Sequence, residues 1–383
     1  MHSFDILIVG GGVMGSGAAC ELARSRLSVG LIDQAPLPNP QGASIDHSKV
    51  FRFAYPDPFY VKMAVDSLRL WRELEQETGA QLMTHSGLVL LAKGHGSFET
   101  QSYNALRSID LDAELLDNRA FASRFPQFNA DAFAFAVYDP SGLILHADSC
   151  VRAMLDLARR LGVSILEGLR IESFSRSTSG RIELRTCGGE RFDCAKLLLA
   201  SGPWTRELIP QLSATLTTTR QEVVYFEPRS EIADEFKPPR FPMFIELSSG
   251  FYGFPVHHKG AMKIANHHKG IQVDPYSFDS TVGDDFIDRC RAFFSEVIPA
   301  LANARVAESR VCIYNNTPDD DFIIDWHPEL ENVLIATGFS GHGFKFGSVV
   351  GRIAGQLLVS GRSSYDIERL RLSRIGGLNE VTK

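Results

Sequence analysis

The sequence predicts an α/β protein in which a parallel sheet flanked by helices is interrupted by a mixed or antiparallel sheet. Short aliphatic strands that run directly into glycine occur near residues 6, 197 and 333, as in buried parallel sheets. Between about residues 220 and 310 the candidate strands are instead aromatic-rich and separated by proline and glycine, which favours a mixed or antiparallel sheet. With 383 residues, the chain is long enough for two domains.

The first parallel unit contains a glycine-rich loop. Ile6–Val9 predicts a buried strand, Gly10, Gly12 and Gly15 follow in G-x-G-x-x-G spacing, and Ala18–Arg24 predicts a helix. In this motif the first glycine permits a tight turn, the second lets the backbone approach a pyrophosphate, and the third lets the helix pack on the strand. The N-terminus of the helix offers unpaired N–H groups to phosphate. The pattern therefore predicts a Rossmann-like dinucleotide site.

An acidic residue completes this unit. Ser28–Asp33 predicts the second strand, and Asp33 ends it about 20 residues after Gly10, where a carboxylate binds an adenosine ribose hydroxyl. An ordinary turn in an α/β domain would not explain three spaced glycines and a placed acid.

Composition excludes several classes of function. The net charge of −7 and the pI of about 5.9 argue against nucleic acid or an anionic membrane surface as a partner. No run of residues approaches the roughly 20 apolar residues of a membrane span. The early apolar run lacks a basic flank and is interpreted as the nucleotide strand rather than as a signal peptide. The six cysteines are scattered, which predicts neither disulfides nor a metal site and favours a cytoplasmic protein.

Helical periodicity and a capping residue predict the other large helices. A helix from about Gly347 to Val359 would carry Gly347, Gly351 and Gly355 on one stripe, suited to close packing. The others are Phe59–Gln76, with Val61, Val65, Leu68 and Trp71 in helical register; a helix from an Asp148 N-cap to Leu161; and Asp285–Val297.

Motifs along the whole chain resemble a known family. Cys312–Asp325 and Gly338–Lys345, together with the Arg52 segment and Ser201–Trp204, resemble the monomeric sarcosine oxidase and N-methyltryptophan oxidase family of flavin amine oxidases, within the D-amino-acid-oxidase-like superfamily. The resemblance implies a discontinuous Rossmann-like FAD-binding domain over residues 1–80, 145–220 and 310–383. Residues 81–144 and 221–309 would form the substrate domain.

The resemblance assigns the cofactor and the carboxylate site. The family's counterpart of Cys312 carries FAD covalently, and the counterparts of Lys345 and Arg52 bind the substrate carboxylate. Arginine supplies a planar fork and lysine a point charge for such a group. The turn before the last helix is implied to face the flavin. Its members, with a serine from the Arg52 segment, complete the cofactor-binding set: Ser44, Gly341, Gly343, Phe344 and Lys345.

The resemblance also implies an oxygen site. The family's counterpart of Lys263 activates O2, and His267 and Tyr252 match its substrate-site histidine and tyrosine. Strand alternation places Lys263 and His267 on one face, with Met262 and Ile264 on the other. A cation there stabilises developing superoxide. The implied activity is oxidation of a secondary amino acid to an imine, with H2O2 as product, by a monomer.

One segment departs from the family. The sarcosine oxidases carry an arginine and a histidine where this chain has Lys49 and Ile45, and the Asp-x-x-Lys pattern is closer to fructosyl-amine and saccharopine oxidases. A fructosyl-amine, saccharopine or pipecolate oxidase therefore remains an alternative. An NAD-dependent dehydrogenase would share the glycine loop but leave Cys312 unexplained, and a non-catalytic FAD-binding subunit would not need Lys263, Arg52 and Lys345 together.

Overall fold

The computed structural model describes residues 2–94 and 96–375, which form two eight-stranded sheets and one three-stranded sheet. The helices are α1 Val13–Leu22, α2 Pro58–Thr78, α3 Ser97–Arg107, α4 Asn118–Arg124, α5 Ala147–Arg160, α6 Thr205–Leu208, α7 Asp284–Val297 and α8 Gly347–Ser360. The strands are β1 His2–Val9, β2 Val29–Ile32, β3 Lys49–Phe51, β4 Met83–His85, β5 Leu88–Ala92, β6 Glu114–Leu116, β7 Phe135–Asp139, β8 Leu143–Leu145, β9 Ser164–Leu166, β10 Ile171–Arg176, β11 Ile182–Thr186, β12 Arg191–Leu199, β13 Thr217–Glu227, β14 Met243–Glu246, β15 Phe251–Gly253, β16 Met262–Asn266, β17 Arg305–Asn316, β18 Ile323–Trp326 and β19 Val333–Thr337.

The first sheet has the predicted parallel core. Its main path is β10-β11-β12-β1-β2-β9, and β19 pairs with β12 and β18. Strands β9, β2, β1, β12 and β19 run parallel, while β10, β11 and β18 are antiparallel additions. The carboxyl ends of β1, β2, β12 and β19 therefore meet at one edge, the place where α/β sheets bind ligands.

The second sheet is mixed, as predicted. Its order is β17-β13-β16-β15-β14-β5-β7-β6, and only the β14–β5 pair is parallel among these strands. One face packs against a phenylalanine-rich core that includes Phe244, Phe286 and Phe293. Most of the phenylalanines of this region thus serve packing. The predicted α/β fold class, with a parallel sheet and a mixed sheet, is confirmed.

Three local predictions were wrong. Helix α1 begins at Val13 rather than Ala18, because the glycine loop enters the helix directly. The N-cap of α5 is His146 rather than Asp148; the Asp148 carboxylate lies in the first turn and pairs with Arg152 at 2.7 Å. Val65 is 41% exposed on α2, because it faces away from the packed side of that helix.

The predicted domain bounds stay a prediction. Long strands β13 and β17 pair from Thr217–Asn316 to Glu227–Arg305 and lie at the edge of the mixed sheet. In residues 2–94 and 96–375, no helix is long and apolar enough to cross a membrane.

Glycines allow α1 and α8 to touch along their backbones. A Cβ on Gly17 would lie 2.4 Å from the Gly347 carbonyl oxygen, and a Cβ on Gly351 would lie 2.4 Å from the Gly17 carbonyl carbon. These distances leave no room for a methyl group. The contact holds the last helix against the glycine-loop helix, so both are fixed relative to the ligand edge of the first sheet.

Replacing Gly351 by alanine is therefore expected to lower the free energy of unfolding by about 1–3 kcal/mol through overpacking. Denaturant unfolding of the purified protein measures this. Gly94→Ala is the control, because no atom lies within 4 Å of the added Cβ there. Equal stability of the Gly351→Ala protein and the wild type would contradict the close contact.

Candidate active site

A large cleft is lined by residues of both eight-stranded sheets. Its empty volume is about 1840 Å³, which includes space open to solvent. It is lined by the glycine loop, by the carboxyl ends of the parallel strands, and by residues of β14, β15, β16 and β17. The cleft therefore extends from the predicted dinucleotide site to the predicted substrate residues. All of the predicted site residues except Gly15 and Cys312 line it.

The glycine loop is shaped as its sequence predicts. Gly10 has φ +105°, and a Cβ there would lie 2.4 Å from the Ala200 carbonyl oxygen, so only glycine fits. A Cβ on Gly15 would lie 1.8 Å from the Gly10 carbonyl oxygen, which explains why Gly15 lies behind the cleft wall. A Cβ on Gly12 would meet the Ser44 hydroxyl at 3.1 Å. The bare backbone of this loop fits a pyrophosphate approaching α1.

Asp33 braces this loop from the end of β2. Its carboxylate accepts hydrogen bonds from the Gly11 N–H at 2.7 Å, the Ala35 N–H at 3.0 Å and the Asn39 amide at 3.0 Å. Burial nonetheless raises the pKa of Asp33 above its ordinary value. Asn39 was not predicted. Asp33 lines the cleft, and its role as the ribose acceptor stays a prediction.

Ser44 caps α1. Its hydroxyl oxygen accepts from the Val13 N–H at 2.9 Å, so the side chain satisfies one of the free donors at the helix N-terminus. The segment that carries Ser44 also contains Asp46 and Lys49. It thus connects the nucleotide end of the cleft to its charged end.

Two cations meet beside Tyr55. The Lys345 ammonium donates to the Tyr55 hydroxyl at 2.7 Å and to the His342 carbonyl at 2.5 Å. The Arg52 guanidinium lies 3.9 Å from the centre of the Tyr55 ring and donates to the Ala54 carbonyl. Burial, and then the charge of Arg52, holds the pKa of Lys345 well below its ordinary value. Neither cation forms a salt bridge with a carboxylate among residues 2–94 and 96–375, so this pocket suits an anionic ligand.

Helix α2 holds the Lys345 backbone. The Lys345 carbonyl accepts from the Trp71 indole at 2.7 Å and from the Ser67 hydroxyl at 2.5 Å. The neighbouring Phe344 ring stacks on the Trp71 ring at 6.3 Å between centroids. This explains why Trp71 lies on the packed face of α2: it fixes the turn that positions the lysine.

The turn before α8 leaves no room for a side chain at two of its glycines. Gly341 has φ +74°, and a Cβ there would lie 2.3 Å from the Tyr314 ring. A Cβ on Gly343 would lie 2.4 Å from the Phe339 Cβ. The backbone of the turn therefore passes directly along the cleft at the start of α8.

Lys263 is buried in an ion pair with Asp46. The Lys263 ammonium lies 2.5 Å from the Asp46 carboxylate and 2.8 Å from the Ser48 carbonyl, and Lys49 lies 3.5 Å from the same carboxylate. Burial lowers the pKa of Lys263, although Asp46 opposes this. For Lys49 the effect of burial is outweighed by Asp46, and its pKa is raised. For Asp46, burial is outweighed by Lys263, and its pKa is held well below the ordinary value.

Aromatic side chains surround the middle of the cleft. The Tyr252 and Tyr314 hydroxyls are 3.4 Å apart, and the rings of His267 and Tyr314 are 6.1 Å apart. Burial, and then the charge of Arg52, lowers the pKa of His267 to about 4, so its imidazole is neutral near pH 7. The predicted alternation is confirmed: Lys263 and His267 line the cleft, while Met262 and Ile264 lie in the phenylalanine-rich core.

Cys312 lies on β17 just behind the cleft wall. It is 7% exposed, and its sulfur is 4.0 Å from the carbonyl oxygen of Ile45, which does line the cleft. Burial raises the pKa of the thiol, and Lys49 is the strongest opposing influence. The thiol is therefore close to the cleft and close to a cation.

One group of possible metal ligands lies near this site. His47, His258 and Glu308 place their ligand atoms within 4.8 Å of one another. The two imidazole rings are stacked at 3.5 Å, however, and Glu308 is bonded to His47 at 2.9 Å and to Arg310 at 2.8 Å. The contacts are those of an ion-pair cluster, and the absence of a metal site stays a prediction.

The geometry fits FAD: a side-chain-free loop and an acid at one end of an elongated cleft, and cations and backbone N–H groups at the other. Residues 5–357 match the family described as FAD dependent oxidoreductase, and the chain belongs to that family. The chain is 32% identical over 379 residues to the monomeric sarcosine oxidase of Bacillus sp. (strain B-0618), covering 97% of this chain and 96% of that protein. This identity places it in the sarcosine oxidase group and confirms the predicted resemblance.

A second relative and a solved structure are also similar to this chain over almost its full length. The chain is 27% identical to the N-methyl-L-tryptophan oxidase of Salmonella heidelberg (strain SL476), covering 97% of this chain and 99% of that protein. The crystal structure of L-proline dehydrogenase from P. horikoshii superposes with a TM-score of 0.85, at 20% identity and 97% coverage of both chains, and shows the shared fold.

Besides Asn39, sequence reasoning missed two tyrosines and one contact near the substrate end of the cleft. Tyr55 lies between the two predicted carboxylate cations, Tyr314 faces Tyr252, and Asp46 holds Lys263. Tyr314 could have been found from its spacing, because it lies two residues after Cys312 on one strand. Asp46 was noted only for its spacing to Lys49, and its contact with Lys263 carries no sequence signal because the two residues are distant in sequence.

The lowered pKa of His267 predicts a pH dependence of stability. A histidine whose folded pKa is about 4 and whose unfolded pKa is about 6.5 binds its proton more tightly when unfolded. The stability that the neutral His267 contributes to the folded state is therefore lost as the pH falls from about 6.5 towards 4. The wild type should therefore lose free energy of unfolding between pH 7 and pH 5. In His267→Gln that loss should be smaller by roughly 1–2 kcal/mol. In the exposed His268→Gln control the loss should equal that of the wild type; equal losses in all three proteins would refute the assignment.

Proposed function

We propose that the protein is an FAD-dependent oxidase of secondary, N-alkyl amino acids that forms an imine and reduces O2 to H2O2. The observation that carries the proposal is the single cleft in which the nucleotide loop, the Arg52–Lys345 pair and buried Lys263 are combined. The similarity to sarcosine and N-methyl-L-tryptophan oxidases supports the substrate class.

Several backbone segments would hold the cofactor. The Gly10 and Gly12 loop would bind the pyrophosphate, Asp33 the ribose, and the Gly341–Phe344 turn the isoalloxazine. Ser44 would keep the start of α1 in place. When bound, FAD supplies the acceptor for a hydride equivalent and passes the electrons to O2.

The Arg52 guanidinium and the Lys345 ammonium would bind the substrate carboxylate. Tyr55 holds both in fixed positions, so the substrate enters a prepared site and its reacting C–H bond is oriented. No side chain need act as a strong base, provided that the amine binds deprotonated. Loss of hydride from an N-methyl group leaves an imine, which water hydrolyses to formaldehyde and the primary amine.

Lys263 would stabilise the negative charge that develops on O2. Its ammonium lies in the cleft wall, almost wholly buried, where a fixed charge is more effective than in water. Tyr252, Tyr314 and His267 would enclose the substrate with neutral groups. This lining favours an uncharged substrate side chain.

A fructosyl-amine, saccharopine or pipecolate substrate is the second candidate, because the Asp46–Lys49 spacing is retained in the structure as an ion pair. It has no stronger support than the first. Turnover of sarcosine and larger N-methyl amino acids, compared with Amadori compounds and cyclic imino acids, distinguishes the two.

The proposal extends to the attachment and setting of the cofactor. Cys312 would carry FAD covalently, because its thiol lies beside the cleft and near the cation of Lys49. The protein would act as a monomer in the cytoplasm. The six cysteines, all free, are consistent with a reducing compartment.

Replacing Lys263 by methionine should slow reoxidation of the reduced flavin by about 100-fold or more, because the charge that assists O2 is lost. Reduction of the flavin by an N-methyl amino acid should change far less. Anaerobic and aerobic stopped-flow absorbance measure the two steps. Equal effects on both half-reactions would reject the role of Lys263.

Replacing Cys312 by serine should release the flavin. Mass spectrometry of the denatured wild type should show one added FAD on the Cys312 peptide, and acid precipitation should leave the yellow colour in the pellet. In Cys312→Ser the colour should move to the supernatant. Replacement of the exposed Cys187 by serine is the control. Colour in the supernatant of the wild type would contradict covalent attachment.

A further inference from the structure

We propose that Asp46 is a positioning residue for the oxygen step: its carboxylate holds the Lys263 ammonium in place and in its charged form at the cleft wall. This inference rests on the proposed function, since it assigns Asp46 a role through Lys263. No sequence motif of the chain joins the two residues, which are brought together by the fold.

The contact is short and wholly buried. The Lys263 ammonium lies 2.5 Å from an oxygen of Asp46, and both side chains are 1% exposed. Removing Asp46 would leave the buried Lys263 ammonium without a paired carboxylate in a medium of low dielectric constant, which is strongly unfavourable. The pair is therefore a fixed element of the site.

Asp46 is itself held rigidly. Its other oxygen accepts from the Tyr225 hydroxyl at 2.7 Å and from the backbone N–H of His47 at 2.8 Å. Tyr225 on β13 and Lys263 on β16 are direct partners in the sheet register, so both side chains reach Asp46 from neighbouring strands. The hydrogen bonds from Tyr225 and His47 hold one carboxylate oxygen, while the other accepts from Lys263.

Within residues 2–94 and 96–375, hydrogen bonds occupy two of the three donors of the Lys263 ammonium. Of the three N–H groups of an ammonium, one is directed to Asp46 and one to the Ser48 carbonyl at 2.8 Å. The Phe254 ring lies 4.6 Å from the nitrogen and fills a third side. Lys263 also lines the cleft, so its third N–H is the donor that would meet a small anionic species such as reduced oxygen.

Two other cations approach Asp46 less closely. Lys49 is at 3.5 Å and Arg310 at 3.7 Å, and both are more exposed than Lys263. An alternative is that Asp46 serves Lys49 and only incidentally Lys263. A test must therefore show that the effect of Asp46 passes through Lys263.

A double-mutant cycle makes that distinction. The holoproteins compared are the wild type, Asp46→Asn, Lys263→Met and the double variant. The flavin is reduced photochemically, without an amino-acid substrate, and its reoxidation by O2 is followed by stopped-flow absorbance. Asp193→Asn is the matched control, because Asp193 is a buried, ion-paired carboxylate outside the cleft.

We expect Asp46→Asn to slow reoxidation at least about 10-fold and to have no further effect when Lys263 is already methionine. The free energies of unfolding provide a second readout: the double variant should be less destabilised than the sum of the single variants. Asp193→Asn should leave reoxidation unchanged. Equal slowing by Asp46→Asn in both backgrounds, or no slowing, would overturn the inference.

Asp46→Asn could fail to fold, because it leaves two lysines and an arginine around a neutral side chain. Tyr225→Phe then carries the test, since it removes one hydrogen bond that orients Asp46 and leaves every charge in place. A slower reoxidation, dependent on Lys263, supports the inference, and an unchanged rate contradicts it. The flavin is reduced photochemically, so the reoxidation rates can be measured without an amino-acid substrate. The absence of turnover with N-methyl amino acids would therefore refute the proposed substrate without affecting the test of Asp46.

Discussion

Four cationic side chains lie at the substrate end of the cleft, and the electrostatic cost of burying them governs the arrangement around it. Lys263 and Lys49 are paired with Asp46. Lys345 is held by the neutral oxygens of Tyr55 and the His342 backbone, and Arg52 lies against the same tyrosine. In the part of the chain that the structure describes, the cleft thus keeps an excess of positive charge. An anionic substrate and a flavin that gains electrons complement it.

The nucleotide end of the cleft could be predicted from sequence because its residues lie close together along the chain. Gly10 and Gly15 are required where backbone atoms come within contact distance of a Cβ, and Asp33 follows at the end of the next strand. The same holds for Lys263 and His267, whose shared face follows from strand alternation. The family motif around Cys312 and Lys345 added the identity of the cofactor, which spacing alone does not specify.

The other features of the site could not be predicted, because they depend on contacts between segments that are distant in sequence. Asp46 and Lys263 meet only because the segment after the glycine loop packs against the mixed sheet, and Tyr225 joins them through strand pairing. The early start of α1 was missed because glycines are poor helix formers, yet here they permit the contact with α8. Local propensity could not reveal that requirement.

The most direct measurement is the stoichiometry of turnover by the purified holoprotein. With sarcosine or a larger N-methyl amino acid, one O2 consumed should yield one H2O2, one formaldehyde and one primary amino acid. Oxygen electrode, peroxidase-coupled and formaldehyde assays determine these amounts. Failure of every N-methyl amino acid to support O2 consumption, with turnover of an Amadori compound or a cyclic imino acid instead, would contradict the proposed substrate class.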